Sequence, residues 1–499
     1  MRWAIFALGC DIGSQSVRAL LLGEDGTTLG MASAAYGIRY PRPAWAEQDP
    51  ADWMRGLSAA VRELVATTGV KAREISALGL AAQVDGVVAV DDELRALTPA
   101  IIWMDRRATR QTDLLRKAIG VEEVRQTTGL NLDPYHVAPK ISWLRDETPG
   151  LAAATRAYLP PGPFVVAQLT GELAIDHANA SSTLLYDIVG RRWSDRMLSV
   201  TGIDAAVLPP IAPAEAVVGP LRAGAAAELG LEPDCVVVVG TGDEHGACLA
   251  AGAITPDVLC DITGTAEPVA VASSSPIIDP TGLVETHAHA DSRAWLVENP
   301  GFVSGGSVRW FLDLAGWSQA DMGKVASVPA GSDGVTFLPA LSGSMTPRWN
   351  EHARGAFAGL GLNHGLPHLG RAVLEGCTFA LRDLVARFAE LGLGGDEVRV
   401  VGGGARSDLW LQMKADVTGR PVRVLRSAEA TALGAAELAA VGAGMFRDLD
   451  EAVGRLTELE PGVYEPDRSL RGAYDDAYGR YRSLFDAVEP LSDGGAHGR

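Results

Sequence analysis

The stretch Ile5-Phe-Ala-Leu-Gly9-Cys10-Asp11-Ile12-Gly13-Ser14-Gln-Ser16-Val-Arg18-Ala-Leu-Leu-Leu22 is an apolar run, a short polar turn and a second apolar run. It reads as a β-hairpin bent at Gly13. Halfway along the chain the pattern returns. Val258-Leu-Cys260-Asp261-Ile-Thr263-Gly264-Thr265 leads into the apolar Pro268–Ala272, and Cys-Asp-Ile stands at both 10–12 and 260–262. A three-residue match is cheap by chance, so the shared strand–turn–strand pattern carries the argument. It implies two domains of one type, each offering a turn rich in N–H and O–H donors. Two such turns across a cleft can grip a polyphosphate, because backbone amides at glycine-rich turns bind anions without lysine. That suits a chain whose only lysines are Lys71, Lys117, Lys140, Lys324 and Lys414.

Outward from the two hairpins, strand-like runs at Ile75–Ala81, Val87–Val90, Val236–Val239 and Val398–Val401 alternate with helical ones at Ala51–Thr67, Arg106–Ile119, Ala247–Ala253, Arg371–Glu390, Leu409–Thr418 and Thr431–Val441. This alternation predicts an α/β fold. Over 499 residues, 47% hydrophobic and 21% charged, the chain has ample material for two or three cores. Its net charge of −19 argues against a nucleic-acid partner. Five scattered cysteines (Cys10, Cys235, Cys248, Cys260, Cys377) without C-x-x-C spacing give neither a disulfide framework nor a zinc site. The apolar Trp3–Leu8 run is too short for a signal-peptide core, and no stretch approaches the ~20 apolar residues of a membrane span. A cytoplasmic protein is expected.

The familiar nucleotide motifs fit poorly. There is no G-x-x-x-x-G-K-[ST], and Gly240-Thr-Gly242-Asp243-Glu244-His245-Gly246 misplaces the last glycine of a dinucleotide fingerprint, which weighs against a dehydrogenase. Asp243, past a buried strand and a Gly-Thr-Gly turn, can orient a hydroxyl and take its proton; it can equally cap a helix beginning near His245. Asp11 can stand on the metal side of a phosphate site or simply form a turn. Arg18 is a phosphate clamp or a solvated strand residue. Gly402-Gly403-Gly404-Ala405 lets a ring or phosphate approach the backbone closely. The small residues after Glu429 permit close packing against another helix or a base. Gln83-Val84-Asp85-Gly86, Trp103-Met-Asp105-Arg106-Arg107 and Asp133-Pro-Tyr135 mix the polar and aromatic groups that suit a sugar. His287-Ala-His289 puts two imidazoles on one strand face without an evident third ligand.

In this order, the islands resemble the FGGY carbohydrate kinases over roughly Ala4 to Phe485. One signature appears as Tyr135-His-Val137-Ala-Pro-Lys140-Ile-Ser-Trp143-Leu-Arg-Asp146-Glu147, in which Val137 replaces a small or hydroxyl residue. The other appears as Gly355-Ala-Phe357-Ala-Gly359-Leu360 followed by His368-Leu-Gly-Arg-Ala372-Val-Leu-Glu375, and Asp176–Thr183 also resembles the family's segment. The resemblance implies the actin-like ATPase fold, two RNase H-like domains around a central cleft. The expected domains are residues 1–247 (sugar and first phosphate turn) and 248–485 (ATP), with a frayed tail at 486–499. It further implies ATP and Mg²⁺ as cofactors and a sugar as substrate, with no nucleic-acid or membrane partner; a homodimer is compatible with it. Asp243 becomes the general base, with Asp11 and Asp243 toward Mg²⁺. Gly13, Ser14, Ser16 and Arg18 line the first phosphate turn, and Gly264 and Thr265 the second, near Gly305 and Gly306. Gly403, Gly404, Ala405, Ser407 and Asp408 lie toward adenosine. Gln83, Asp85, Trp103, Tyr135 and Glu244 contact substrate. Where this chain has Val84-Asp85, xylulose kinases usually carry Met-His and glycerol kinases Arg-Glu. Trp103–Arg107 and Gly240–Gly246 look closer to the xylulose side. A pentulose such as D-xylulose is the first expectation, with another ketose or a polyol (erythritol, glycerol, ribulose) as alternatives. A non-catalytic sugar sensor on the same fold would need damaged phosphate turns, and these are intact.

Overall fold

The computed structural model describes residues 6–493. Trp3–Ile5, the start of the apolar run weighed as a signal, lie outside the described residues, as does 494–499. In the first half, β1 (Phe6–Ile12), β2 (Ser16–Gly23), β3 (Thr28–Ala35), β4 (Ile75–Ala82), β5 (Val217–Pro220) and β6 (Val236–Val238) form one sheet in the order β5-β6-β4-β1-β2-β3. β1, β2 and β3 are an antiparallel meander, while β4 lies parallel to β1 and β6 parallel to β4. β1 and β4 are buried almost end to end, as central strands covered on both faces must be; β3, at the edge, alternates in exposure.

The second half repeats this arrangement. β7 (Val258–Thr263), β8 (Ala266–Ser273), β9 (Glu285–Ala288), β10 (Trp295–Val303), β11 (Glu397–Gly402) and β12 (Val422–Val424) run in the order β9-β10-β8-β7-β11-β12. β7–β8–β10 is the antiparallel meander, and β11 and β12 join β7 in parallel. The echo in sequence is therefore an echo in topology, with Asp11 and Asp261 on equivalent first strands.

The helices are α1 (Pro50–Thr68), α2 (Asp243–Ala250), α3 (Gly305–Ala315), α4 (Leu366–Glu390), α5 (Asp408–Thr418), α6 (Ala430–Gly442) and α7 (Arg471–Asp493), besides shorter ones. α2 carries the chain from one half to the other. It begins at Asp243 rather than Ala247, so Asp243 and Glu244 stand in its first turn and Gly242 takes the cap position. α7 runs into the stretch from 486 expected to fray. α6 settles the question of its small residues: it packs on a helix and a sheet. A Cβ on Gly434 would stand 2.0 Å from the Gly246 carbonyl oxygen of α2, and one on Gly9 would stand 2.0 Å from Ala432 O. The resulting core between the halves is built largely of alanine: Ala7 and Ala77 from the first sheet, Ala247, Ala250 and Ala251, and Ala432, Ala436, Ala439 and Ala440. Small side chains let the elements approach, so close packing replaces bulk.

Candidate active site

The first phosphate turn is closed by Gly13 N–H donating to Ser16 O at 3.0 Å. The hairpin register sets Asp11 opposite Arg18, whose Nη1 lies 3.2 Å from Asp11 Oδ2 and whose Nε lies 3.3 Å from Glu429 Oε2 at the head of α6. Asp11 is buried and its Oδ1 has no hydrogen-bond partner among the described residues. Burial and then the charge of Asp243 push its carboxyl up to about 7, against the pull of Arg18. Ser14 Oγ accepts from Trp103 Nε1 at 2.8 Å, so an expected sugar contact sits directly on the turn.

Asp85 holds a left-handed conformation (φ 59°) unusual for a non-glycine residue. Its Oδ1 lies 3.1 Å from His136 Nδ1. Burial alone would depress the imidazole, but the charge of Asp85 and its hydrogen bond lift His136 above its ordinary value. Buried Lys140 donates to the carbonyls of Asp85 (2.5 Å) and Ile102 (2.9 Å), and desolvation brings it down to about 8. Tyr135 donates to Glu285 Oε2 at 3.3 Å, a carboxylate supplied by β9 of the other half. Glu244 and Glu298 are both raised, first by burial and then by surrounding carboxylates, Glu298 to about 8. Asp243 is coupled to both groups by charge: it acts on Asp11, and it is itself raised to about 6, first by burial and further by Asp85. One of its oxygens accepts the Glu244 N–H at 3.1 Å, and Thr431 of α6 donates to its carbonyl at 3.4 Å.

At the second turn, Gly264 N–H donates to Ala266 O (2.9 Å) and Gly306 N–H to Thr265 O (3.0 Å). A Cβ on Gly305 would stand 2.2 Å from Gly264 O, so α3 begins hard against this turn. Below it, fully buried Lys414 of α5 donates to Asp261 Oδ2 (2.5 Å), Thr263 Oγ1 (2.9 Å) and Glu267 Oε1 (3.0 Å), and Glu267 also accepts the Ser304 hydroxyl. Two adjoining cavities, about 420 and 830 Å³, share Thr263, Gly264, Gly403 and Arg406. The smaller takes in Thr265, Gly305, Gly404 and Ser407; the larger takes in Ala405 and Asp408, together with Arg18 of the first turn. The two halves therefore face a common crevice. Ser407 caps α5 by accepting from Trp410 N (3.4 Å), and Asp408 accepts from Tyr464 (2.7 Å).

Gln83 bonds to the first turn at Ser14 (3.5 Å) and Gly13 O (3.4 Å), and Asp243 is coupled by charge to both the first turn and the Asp85 group. His287 packs against His245, ring centroids 5.8 Å apart, inside the fold. The sequence reading missed Glu285, Glu298 and Lys414. Lys414 left a signal: a lysine on the apolar side of the Trp410–Val417 helical run.

Residues 6–250 match the N-terminal domain, and residues 261–443 the C-terminal domain, of the FGGY family of carbohydrate kinases. The xylulose kinase of Escherichia coli is 30% identical over 487 residues, spanning 97% of this chain and 99% of its own. The glycerol kinase of Aromatoleum aromaticum is 33% identical over 463 residues, 89% of this chain and 92% of its own. The crystal structure of xylulose kinase from Rhodospirillum rubrum superposes with a TM-score of 0.90 at 28% identity, covering 98% and 100% of the two chains.

Proposed function

Because the chain belongs to the FGGY family of carbohydrate kinases, we propose that it moves the γ-phosphoryl group of ATP to a hydroxyl of a neutral sugar, a pentulose such as D-xylulose, with Asp243 as general base. The observation that carries this reading is the place of Asp243, a half-buried carboxyl at the start of α2 whose charge is felt by Asp11 and which itself feels that of Asp85. One oxygen is held by a backbone N–H, leaving the other for the proton of the attacking hydroxyl. Burial strengthens it as a base, bringing it to about 6, near the operating range. Phosphoryl transfer needs little covalent help, so the remaining work is positioning and neutralisation by the N–H groups of the two turns and by Arg18.

The residues fit Mg²⁺. The unpartnered, buried Asp11 Oδ1 and the nearby Asp243 are hard oxygen donors, and such an ion takes most of its other ligands from phosphate and water. When bound, it neutralises charge on the phosphates. On the sugar side, Asp85, Glu244, Glu285 and Glu298 gather while Lys140 is committed to carbonyls and Arg106 to Asp133. An anionic sugar would meet repulsion from these carboxyls with no free cation beside them among the described residues, whereas a polyhydroxylated neutral one supplies donors to these acceptors. Glycerol or another polyol is the second reading, favoured by the acid at position 85.

An ADP-release assay over D-xylulose, other ketoses, glycerol and erythritol tests the substrate. Replacing Asp243 by Ala should leave ADP binding intact and cut turnover by about 10²–10⁴-fold. Retained turnover refutes the base assignment.

A further inference from the structure

Gln48 stands just before α1 and is 1% exposed, yet nothing in the chemistry above uses it. Its Oε1 accepts from Trp53 Nε1 (3.1 Å) and Gln83 Nε2 (2.8 Å). Its Nε2 donates to Ser14 O (2.7 Å) and Gly37 O (3.3 Å). An indole nitrogen can only donate, so the oxygen of Gln48 must face Trp53 and its NH₂ must face the two carbonyls. The amide thus has one orientation, fixed from the core, and it holds the phosphate turn by the Ser14 carbonyl. The same amide fixes Gln83, whose other contacts are Ser14 Oγ (3.5 Å) and Gly13 O (3.4 Å). Ser14 Oγ in turn receives the half-exposed Trp103 indole. A continuous chain of hydrogen bonds therefore runs Trp53–Gln48–Gln83–Ser14–Trp103, with its sugar-side members, Gln83 and Trp103, bonded to the turn that faces the nucleotide.

We propose that Gln48 is a positioning residue that locks the Gly13–Ser14 phosphate turn and the sugar-side pair Gln83 and Trp103 into one arrangement, so that occupancy of either substrate site is felt at the other. A ligand ordering Gln83 and Trp103 also orders the turn, and by linkage the nucleotide must favour sugar by the same factor. The ligands are those of the kinase reading; the device is additional to it.

Gln48→Glu is the informative variant. It keeps shape and the Oε1 acceptor but sets an oxygen against the carbonyls of Ser14 and Gly37, a buried loss of two donors. Leu57→Ala, a cavity in the adjoining helix α1, serves as the control for stability alone. Calorimetric titration of ADP with and without saturating D-xylulose (or whichever panel sugar is turned over) gives the coupling factor. We expect the wild-type protein and Leu57→Ala to bind ADP at least fivefold more tightly with sugar present, and the factor to fall to about one in Gln48→Glu. A wild-type factor of one, or a factor kept in folded Gln48→Glu, overturns the proposal. If no sugar is turned over by the wild-type protein, the kinase reading fails instead, and ADP alone decides for Gln48. Its affinity must then fall about tenfold in Gln48→Glu and stay unchanged in Leu57→Ala; equal affinity in wild-type and Gln48→Glu overturns the proposal.

Discussion

Asp11 and Asp261 occupy equivalent positions in the two repeats and are treated oppositely. Asp261 is tied to Lys414 inside the fold, while Asp11, paired with Arg18 through one oxygen, keeps the other unpartnered among the described residues. The repeat is symmetric in backbone and asymmetric in charge, and the acid left with an unpartnered oxygen is the one that feels the charge of Asp243. That arrangement costs stability. The folded Asp11 carboxyl titrates at about 7 against an ordinary 3.8, so between these values the native state holds a proton the unfolded chain has lost. Stability then falls as pH rises through this window. Asp11→Asn should therefore melt higher than wild type in the nucleotide-free state. The gain should be greatest above pH 7 and vanish below pH 4 in thermal melts, while turnover is abolished. A variant that melts lower at pH 8 would contradict this account. Asp11 and Asp243 were legible in the sequence because each ends an apolar run beside glycine. The Lys414 cluster was not, because Asp261, Thr263 and Glu267 lie 147 to 153 positions from Lys414 and meet it only through the register of β7 and β8 and the placing of α5.

Among elements, hydrophobic period recovered α1, α5, α6 and the central strands nearly to their ends, but it started α4 at Arg371 rather than Leu366 and gave no sign of α3 or α7. It failed where a local rule pointed the wrong way. The start of α2 was set late because Gly242 has no side chain to announce a cap. β10 was not read because Asn299-Pro300-Gly301 looks like a turn. In the sheet, the pairing of β10 with β8 skips at this point, opposite Pro268, and the skip spares both prolines a ladder hydrogen bond. α6 shows a further conflict between pattern and place. Its Glu437 is wholly buried in the interface between the halves, and neither carboxyl oxygen has a hydrogen-bond partner among the described residues. Desolvation lifts it from 4.5 to about 8. The native state therefore keeps a proton through that interval, and wild-type stability declines as pH rises from about 4.5 toward 8. Glu437→Gln, neutral throughout, should unfold at higher denaturant concentration than wild type, by a margin that grows over that interval and levels off above pH 8. A margin independent of pH would mean that the carboxyl finds a partner.

At the scale of the molecule, two extended contacts among the described residues join the halves. One is the alanine-rich core of α2 and α6 against the first sheet. The other is a strip between residues 125–191 and the outer strands of the second sheet. There Thr286 N donates to Gly129 O (2.9 Å), Ala288 N to Ser181 Oγ (3.0 Å), Asn131 N to Glu285 (2.7 Å) and Trp295 Nε1 to Ile188 O (2.9 Å). Neither half can unfold without stripping partners from the other, so scanning calorimetry should show one transition. For 499 residues the unfolding entropy is about 1 kcal/mol per degree. ADP at one hundred times its dissociation constant contributes about 2.7 kcal/mol and should raise that single transition by about 2–3 °C. Sugar added to ADP should raise it further by more than sugar alone, because closing the crevice lets each ligand find the other's site ordered. Two resolved peaks, with ADP moving only one, would show instead that the halves behave as separate bodies and that the strip and the helix pair do not transmit binding between them.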